Sequence, residues 1–144
     1  MTEEQVKSHL EKYLGLSVEL KNRLTYLAHL QQLDHDSIRL QGSRSEEYAT
    51  QIAPSVQANR REMKAIESAI EALKNPQERE VLRLRYLNSS TDPQTGRQSV
   101  RHIPWSEIAF SLYGECVPAV QKRAIRLHNK AITHLAAHWP DIEQ

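Results

Sequence analysis

The spacing of apolar residues is the feature that most constrains the fold of this chain. One series comprises Leu16, Leu20, Leu24, Leu27, Leu30 and Leu33, and a second comprises Val56, Met63, Ile66, Ile70 and Leu73. Steps of three and four residues place apolar side chains on one face of an α-helix, whereas a half-buried strand requires alternation. Because no alternating run of Val, Ile and Thr is present, the sequence predicts an all-α fold.

The first half, residues 1–75, is predicted to form a long, coiled-coil-like N-terminal helical hairpin. Thr2 and Gln5 have the spacing of a capping box, and the first helix is expected to reach about Leu40, loosened at Gly15. Residues 41–45 break the pattern, and Pro54 marks a further candidate helix start. The two helices are expected to fold back on each other for assembly or partner contact, although such narrow stripes also suit a homodimeric coiled coil.

The second half, residues 76–144, is predicted to be a separate domain that begins at Pro76, because the residue before proline disfavours helical geometry. A helix is expected over 77–87, followed by a polar loop over 88–102 that carries Arg97 and Arg101, two side chains able to reach a phosphate backbone. A short helix over 105–112, with Pro104 in its first turn, is expected to end in a turn at Gly114. A long helix follows and ends before Pro140.

That long helix is amphipathic in an unusual way. Its apolar stripe comprises Val120, Ala124, Leu127, Ala131 and Leu135, and residues 117–138 contain four basic and no acidic residues. Helix-turn-helix DNA binding requires a short helix, a turn and a second helix that is apolar on one side and cationic on the other. An ordinary amphipathic helix with a solvated basic face fits the same pattern.

Three segments resemble a known family. NPQEREVLRLRYLN (75–88) resembles the first helix of sigma-factor region four, and WSEIAFSLYGE (105–115) resembles the helix that enters its helix-turn-helix. RLHNKAITHL (126–135) resembles the end of the recognition helix in phage late-transcription regulators of the RinA/ArpU kind. Relative to that pattern, residues 89–102 are an insertion and 114–131 is about one helical turn longer, which leaves the start of the recognition helix open.

The resemblance implies a DNA-binding transcription regulator of a phage or prophage, with a C-terminal domain similar to sigma region four. By the family's analogy, its partners would be double-stranded DNA and RNA polymerase, and its targets would be late genes. Two alternatives remain open. A small terminase subunit also joins a helix-turn-helix to long helices, and an adaptor that does not bind DNA would use the same surfaces to contact polymerase.

The periodicity of the last helix selects the residues expected to face DNA. Gln121, Lys122 and Arg126 are the candidates for reading base edges, because Gln pairs with adenine and Arg or Lys with guanine. The candidates for phosphate contact or for the same outward face are Ser106, Arg123, Asn129 and Lys130. For each of these, a solvated polar side chain is the simpler interpretation.

Neither catalysis nor a cofactor is predicted. The single cysteine, Cys116, excludes an internal disulfide and a cysteine-based metal site. His134 and His138 have a metal-ligand spacing but lack a third ligand, so they are expected to be solvated or to face DNA. No segment reads as a secretion signal or a membrane span, and a cytoplasmic location is expected.

Overall fold

The computed structural model describes residues 1–36, 44–91 and 98–139. Its α-helices are α1 (Glu3–Asp36), α2 (Arg44–Glu71), α3 (Pro76–Leu82), α4 (Trp105–Tyr113) and α5 (Pro118–His138). A π-helical turn, Arg83–Leu87, continues α3, and two short strands, β1 (Ser89–Thr91) and β2 (Gln98–His102), precede α4. The fold is mostly helical, as predicted. Within these three ranges, no helix combines the length and apolar character needed to cross a membrane.

The start of α1 is fixed by the predicted capping box. The backbone N–H of Gln5 donates to Oγ1 of Thr2 at 3.2 Å, and the N–H of Thr2 donates to Oε1 of Gln5 at 2.9 Å. These reciprocal bonds occupy donors that a helix start otherwise leaves unpaired. The helix then runs without interruption through Gly15 to Asp36. The expected extension to Leu40 lies outside the described residues.

Gly15 and Gly114 give a matched pair of predictions about stability. Gly15 lies in mid-helix, and the space that an added methyl group would occupy is open, so Gly15→Ala should raise the free energy of unfolding by about 0.5–1 kcal/mol. Gly114 has a φ of +77°, where an L side chain is strained, so Gly114→Ala should lower it by about 1 kcal/mol. Urea unfolding of both variants measures whether each substitution raises or lowers the free energy of unfolding. A destabilised Gly15→Ala protein would contradict the uninterrupted α1.

The helices α1 and α2 form the predicted antiparallel hairpin. Near the open end, the hydroxyl of Tyr13 donates to Oε1 of Glu67 at 2.9 Å. Near the closed end, Ser45 donates from both its backbone N–H and its hydroxyl to Oδ2 of Asp34, at 2.9 and 2.6 Å. The residue numbers on α2 fall as those on α1 rise, which establishes the antiparallel direction.

The expected helix start at Pro54 is wrong, because α2 begins ten residues earlier and continues through this proline. The bonds from Ser45 to Asp34 secure the beginning of the helix against α1. Pro54 cannot donate to the carbonyl of Thr50, but both residues are exposed, and water can take the place of the missing donor. Tertiary packing therefore outweighs the local preference of proline.

The leucine series of α1 is only partly covered by α2. Leu30 is 6% exposed, whereas Leu24 and Leu33 are 37% and 39% exposed. The expectation of one buried stripe along the whole series is therefore wrong in the distal half of the hairpin. A single neighbouring helix can cover only one side of α1, and residues at steps of three and four spread over a wider arc.

One hydrophobic core joins the two halves of the chain. Val6, Leu10 and Leu14 of α1 belong to the same buried cluster as Ile70 of α2 and Leu135 of α5. The cluster also takes in side chains of α3 and α4, so α1 packs beneath the C-terminal helices. The helical boundary before Pro76 is present, but the core continues across it. The division into domains 1–75 and 76–144 stays a prediction.

The segment predicted as a polar loop, 88–102, contains two paired strands. Strands β1 and β2 pair antiparallel, with Ser89 opposite His102 and Thr91 opposite Gln98. The expectation of a polar loop is wrong for these strand residues, because backbone pairing satisfies their N–H and C=O groups without an apolar pattern. The rest of the segment, including Arg97, lies outside the described residues, and Arg101 is exposed on β2.

Candidate nucleic-acid interface

The unit formed by α4, the intervening turn and α5 is defined by local backbone signals. The carbonyl of Pro104 accepts from the N–H groups of Glu107 and Ile108, which makes Pro104 the residue before the helix and corrects its expected place inside the first turn. Gly114, in left-handed geometry, donates to the carbonyl of Phe110 at 2.8 Å and ends α4. Pro118 begins α5, where the missing N–H costs nothing.

The helix α5 is divided into a buried and a basic face, as the sequence predicts, although Val120 and Leu127 of the predicted stripe are only half-buried. Its inner face consists of Ala124, His128, Ala131, Ile132 and Leu135, each at most 5% exposed. Its outer face carries the exposed side chains of Lys122, Arg123, Arg126 and Lys130. No acidic residue occurs on α5, and the carboxylate of Glu3 from α1 meets this face at Thr133, beyond Lys130. The stretch from Lys122 to Lys130 therefore has the positive charge that attracts phosphate.

Two of the expected DNA-contact residues also have structural roles. Gln121 is half-buried, and its Nε2 donates to the carbonyl of Cys116 at 2.8 Å, which ties α5 to the turn before it. The guanidinium of Arg123 lies 4.6 Å from the ring centre of Tyr113, the last residue of α4. The aromatic ring already holds the guanidinium in place, so little further side-chain entropy is lost when it binds a phosphate.

The other candidates differ in their exposure and in the contacts that their side chains already make. Lys122 and Arg126 are exposed one helical turn apart on α5. Oδ1 of Asn129 lies 3.0 Å from Nδ1 of His128, so its amide NH₂ is the group left to face outward. Ser106 is half-buried in the first turn of α4, on a different helix from the rest. The basic face is therefore centred on Lys122 and Arg126.

A buried polar cluster beneath α5 fixes the position of that helix. The hydroxyl of Tyr86 lies 2.6 Å from Nε2 of His128, and the ring of Trp105 meets that of His128 edge-on at 5.1 Å. Burial lowers the pKa of His128 and favours the neutral ring, so with Nδ1 donating to Oδ1 of Asn129, Nε2 accepts from the Tyr86 hydroxyl. Both groups are then neutral. Burial also raises the pKa of Tyr86 to about 12.

Arg85 braces the start of α4 from the outside of this cluster. Its guanidinium lies 4.6 Å from the ring centre of Trp105, and its NH1 donates to the carbonyl of Ile103 at 2.7 Å. One side chain of the π-helical turn thus contacts both Ile103, the residue after β2, and Trp105, the first residue of α4. The orientation of α4 against α5 depends on these contacts as well as on apolar packing.

Arg85 and His128 were not among the residues selected from the sequence. The signal for His128 was present, since it lies on the inner arc of α5 between Ala124 and Ala131, where a polar side chain requires a partner. Nothing in the sequence names Tyr86 as that partner, because the two residues are 42 positions apart. Arg85 carries no local signal of its role.

The expectation that His134 is solvated or faces DNA is met only in part, because its side chain is 45% exposed but also has a partner in the protein. Its Nδ1 lies 2.5 and 3.0 Å from the two carboxylate oxygens of Glu78, a residue of α3 that is only 2% exposed. A nearly buried carboxylate requires such a partner. His138 is exposed at the end of α5. Throughout residues 1–36, 44–91 and 98–139, no group of three or more His, Cys, Asp and Glu could hold a metal ion.

Comparison with known proteins gives no relative: the chain matches no protein-family model, no curated protein and no solved structure.

The stability of the protein should fall on acidification because of His128. Its pKa in the folded state lies below the ordinary value of 6.5, so below about pH 6.5 the unfolded chain takes up a proton that the folded chain does not. We therefore expect the contribution of His128 to the free energy of unfolding to be constant near pH 7.5 and to decrease towards pH 5. Urea unfolding across that range should show a smaller decrease for His128→Gln than for the unaltered protein. Equal decreases would contradict the assignment.

Proposed function

We propose that this chain is a sequence-specific DNA-binding transcription regulator of the phage or prophage type, acting on late genes. The observation that carries the proposal is the exposed basic face of α5 from Lys122 to Lys130, on a helix that follows a short helix and a glycine turn. The buried Tyr86–His128 bond and the Arg85 brace support it, because a helix that reads base edges must be held in a fixed orientation.

In this proposal α4 and α5 act as a helix-turn-helix with α5 as the recognition helix. Lys122 and Arg126 would contact base edges in the major groove, with guanine as the natural partner of both. Arg123 and Lys130 would hold phosphates on either side, and Arg123 is already oriented by Tyr113. The assignment to late genes, and a contact with RNA polymerase, rest on the family resemblance.

The test is binding of the whole chain to a pool of DNA fragments from the genome that encodes it, over a series of salt concentrations. A preferred fragment whose affinity decreases with salt is expected, because each neutralised phosphate releases counterions. Absence of binding to any fragment at low salt would overturn the proposal. The polymerase adaptor would then be tested by salt-insensitive binding to polymerase, and ring-shaped assembly together with DNA binding would favour the terminase subunit.

A further inference from the structure

A cleft on the opposite end of α5 from the turn has the size and lining of a small-molecule site. It encloses about 410 Å³ between the end of α2, the start of α3 and the last turns of α5, and we call it the α3–α5 cleft. Sites for small ligands are concave, of about 300–1,000 Å³, with an apolar lining and a few convergent polar groups. The volume of the cleft lies within that range.

The apolar part of the cleft is formed by well-packed side chains. Ala69, Leu73 and Leu135 line it and are at most 5% exposed, while Ala72 lines it and is itself exposed. This surface belongs to the hydrophobic core and is not free to collapse into the space. It therefore forms a fixed floor, above which Ala72 presents an exposed apolar surface to the hydrocarbon part of a ligand.

The charged groups around the cleft favour an anion. Lys74 and Lys130 line it, both are exposed, and within the described residues neither has a carboxylate partner. The one acidic residue in the lining, Glu78, is 2% exposed and is engaged by Nδ1 of His134. The accessible charge of the cleft is thus positive, and His138 adds a further donor at its edge.

We propose that the α3–α5 cleft binds a small organic carboxylate with a short apolar body. The carboxylate would lie between Lys74 and Lys130, and the hydrocarbon would rest on Ala72, the exposed apolar residue of the lining. A monoanion is favoured over a phosphate dianion, because the acidic residue Glu78, although paired with His134, still lies in the lining and opposes two negative charges more than one. Two lysine ammonium groups also lack the bidentate fork with which arginine recognises phosphate.

The proposal can be tested by isothermal titration of the whole chain with hexanoate and benzoate, each compared with its neutral amide and with inorganic phosphate. We expect the carboxylates to bind at least about tenfold more tightly than the amides, since a charge-assisted bond is lost in the amide. Phosphate should bind more weakly than either carboxylate. Equal binding of hexanoate and hexanamide would overturn the proposal, as would binding of phosphate alone.

Variants locate the binding in the cleft. Ala72→Trp places an indole over the apolar floor and should abolish hexanoate binding, while the exposed position of Ala72 allows the fold to be kept, as circular dichroism would show. Lys130→Gln should weaken hexanoate about tenfold, whereas Lys64→Gln, an exposed lysine outside the cleft, should have no effect. Unchanged hexanoate binding by the folded Ala72→Trp protein would overturn the site.

A ligand in the cleft should also weaken DNA binding through Lys130, a consequence that rests on the proposed function. The same ammonium lines the cleft and lies on the basic face of α5, so a bound carboxylate and a DNA phosphate would share it. By reciprocity, saturating hexanoate should weaken DNA binding by the factor by which DNA weakens hexanoate. The two proposals can be distinguished. If the chain does not bind DNA, hexanoate should still bind to the cleft, and if hexanoate does not bind, the salt-dependent binding of DNA should remain.

Discussion

Replacing Lys122 and Arg126 together by alanine is expected to lower the affinity for the preferred DNA fragment by about 30-fold or more. Each side chain that reaches a base edge contributes about 1–3 kcal/mol, and a factor of ten corresponds to about 1.4 kcal/mol. Both residues are exposed on the outer face of α5, so the fold should be unaffected. Fluorescence anisotropy with the preferred fragment and with a scrambled one measures both affinity and preference.

The matched control is the double variant Arg60→Ala/Lys64→Ala on α2. These residues are also exposed and four positions apart, and the substitution removes the same charge from a helix that the proposal keeps off DNA. The control should change affinity only through the weak field of the whole protein, by about twofold. Similar losses of affinity in the two double variants would show that DNA binding depends on the net charge of the protein and not on the α5 surface.

The second large effect is expected from Leu10→Ala, which should lower the free energy of unfolding by about 2–5 kcal/mol. Leu10 is fully buried in α1, within the cluster that also contains residues of α3, α4 and α5. The cavity left by the substitution would therefore lie beneath the helices that form the candidate interface. Chemical denaturation monitored by circular dichroism gives the change in stability.

Leu24→Ala is the control on the same helix. Leu24 is 37% exposed in the distal half of the hairpin, and its truncation should cost less than about 1 kcal/mol in the monomer. Comparable losses for Leu10 and Leu24 would mean that Leu24 is covered in solution. Sedimentation of the two variants would then show whether a second copy of the chain provides that cover, which is the coiled-coil alternative that the sequence left open.

Local signals in the sequence were sufficient for several elements. Three of these elements depend on residues within a few positions of one another: the capping box at Thr2 and Gln5, the helix boundary at Pro76 and the turn at Gly114. The start of α5 at Pro118, which the sequence left open, is given by the structure. Backbone geometry and nearby hydrogen bonds decide such features, so they can be derived before the fold is known. The basic outer face of α5 follows in the same way from its apolar spacing.

Long-range packing decided what the sequence could not. Pro54 lies inside α2 because contacts with α1 outweigh its local effect, and Leu24 is exposed because α2 covers only one side of α1. The partner of His134, a carboxylate 56 positions away, was likewise invisible in the local pattern.

The sequence by itself determined the helical class, the helix boundaries set by caps, proline and glycine, and the charge of the α5 surface, because these depend on neighbours along the chain. Only the tertiary structure decided that α1 completes the core beneath α3, α4 and α5, and that the Tyr86–His128 bond and Arg85 fix the candidate interface. Those arrangements bring together residues that are distant in sequence. Their energy comes from burial and from paired polar groups, which exist only once the chain has folded.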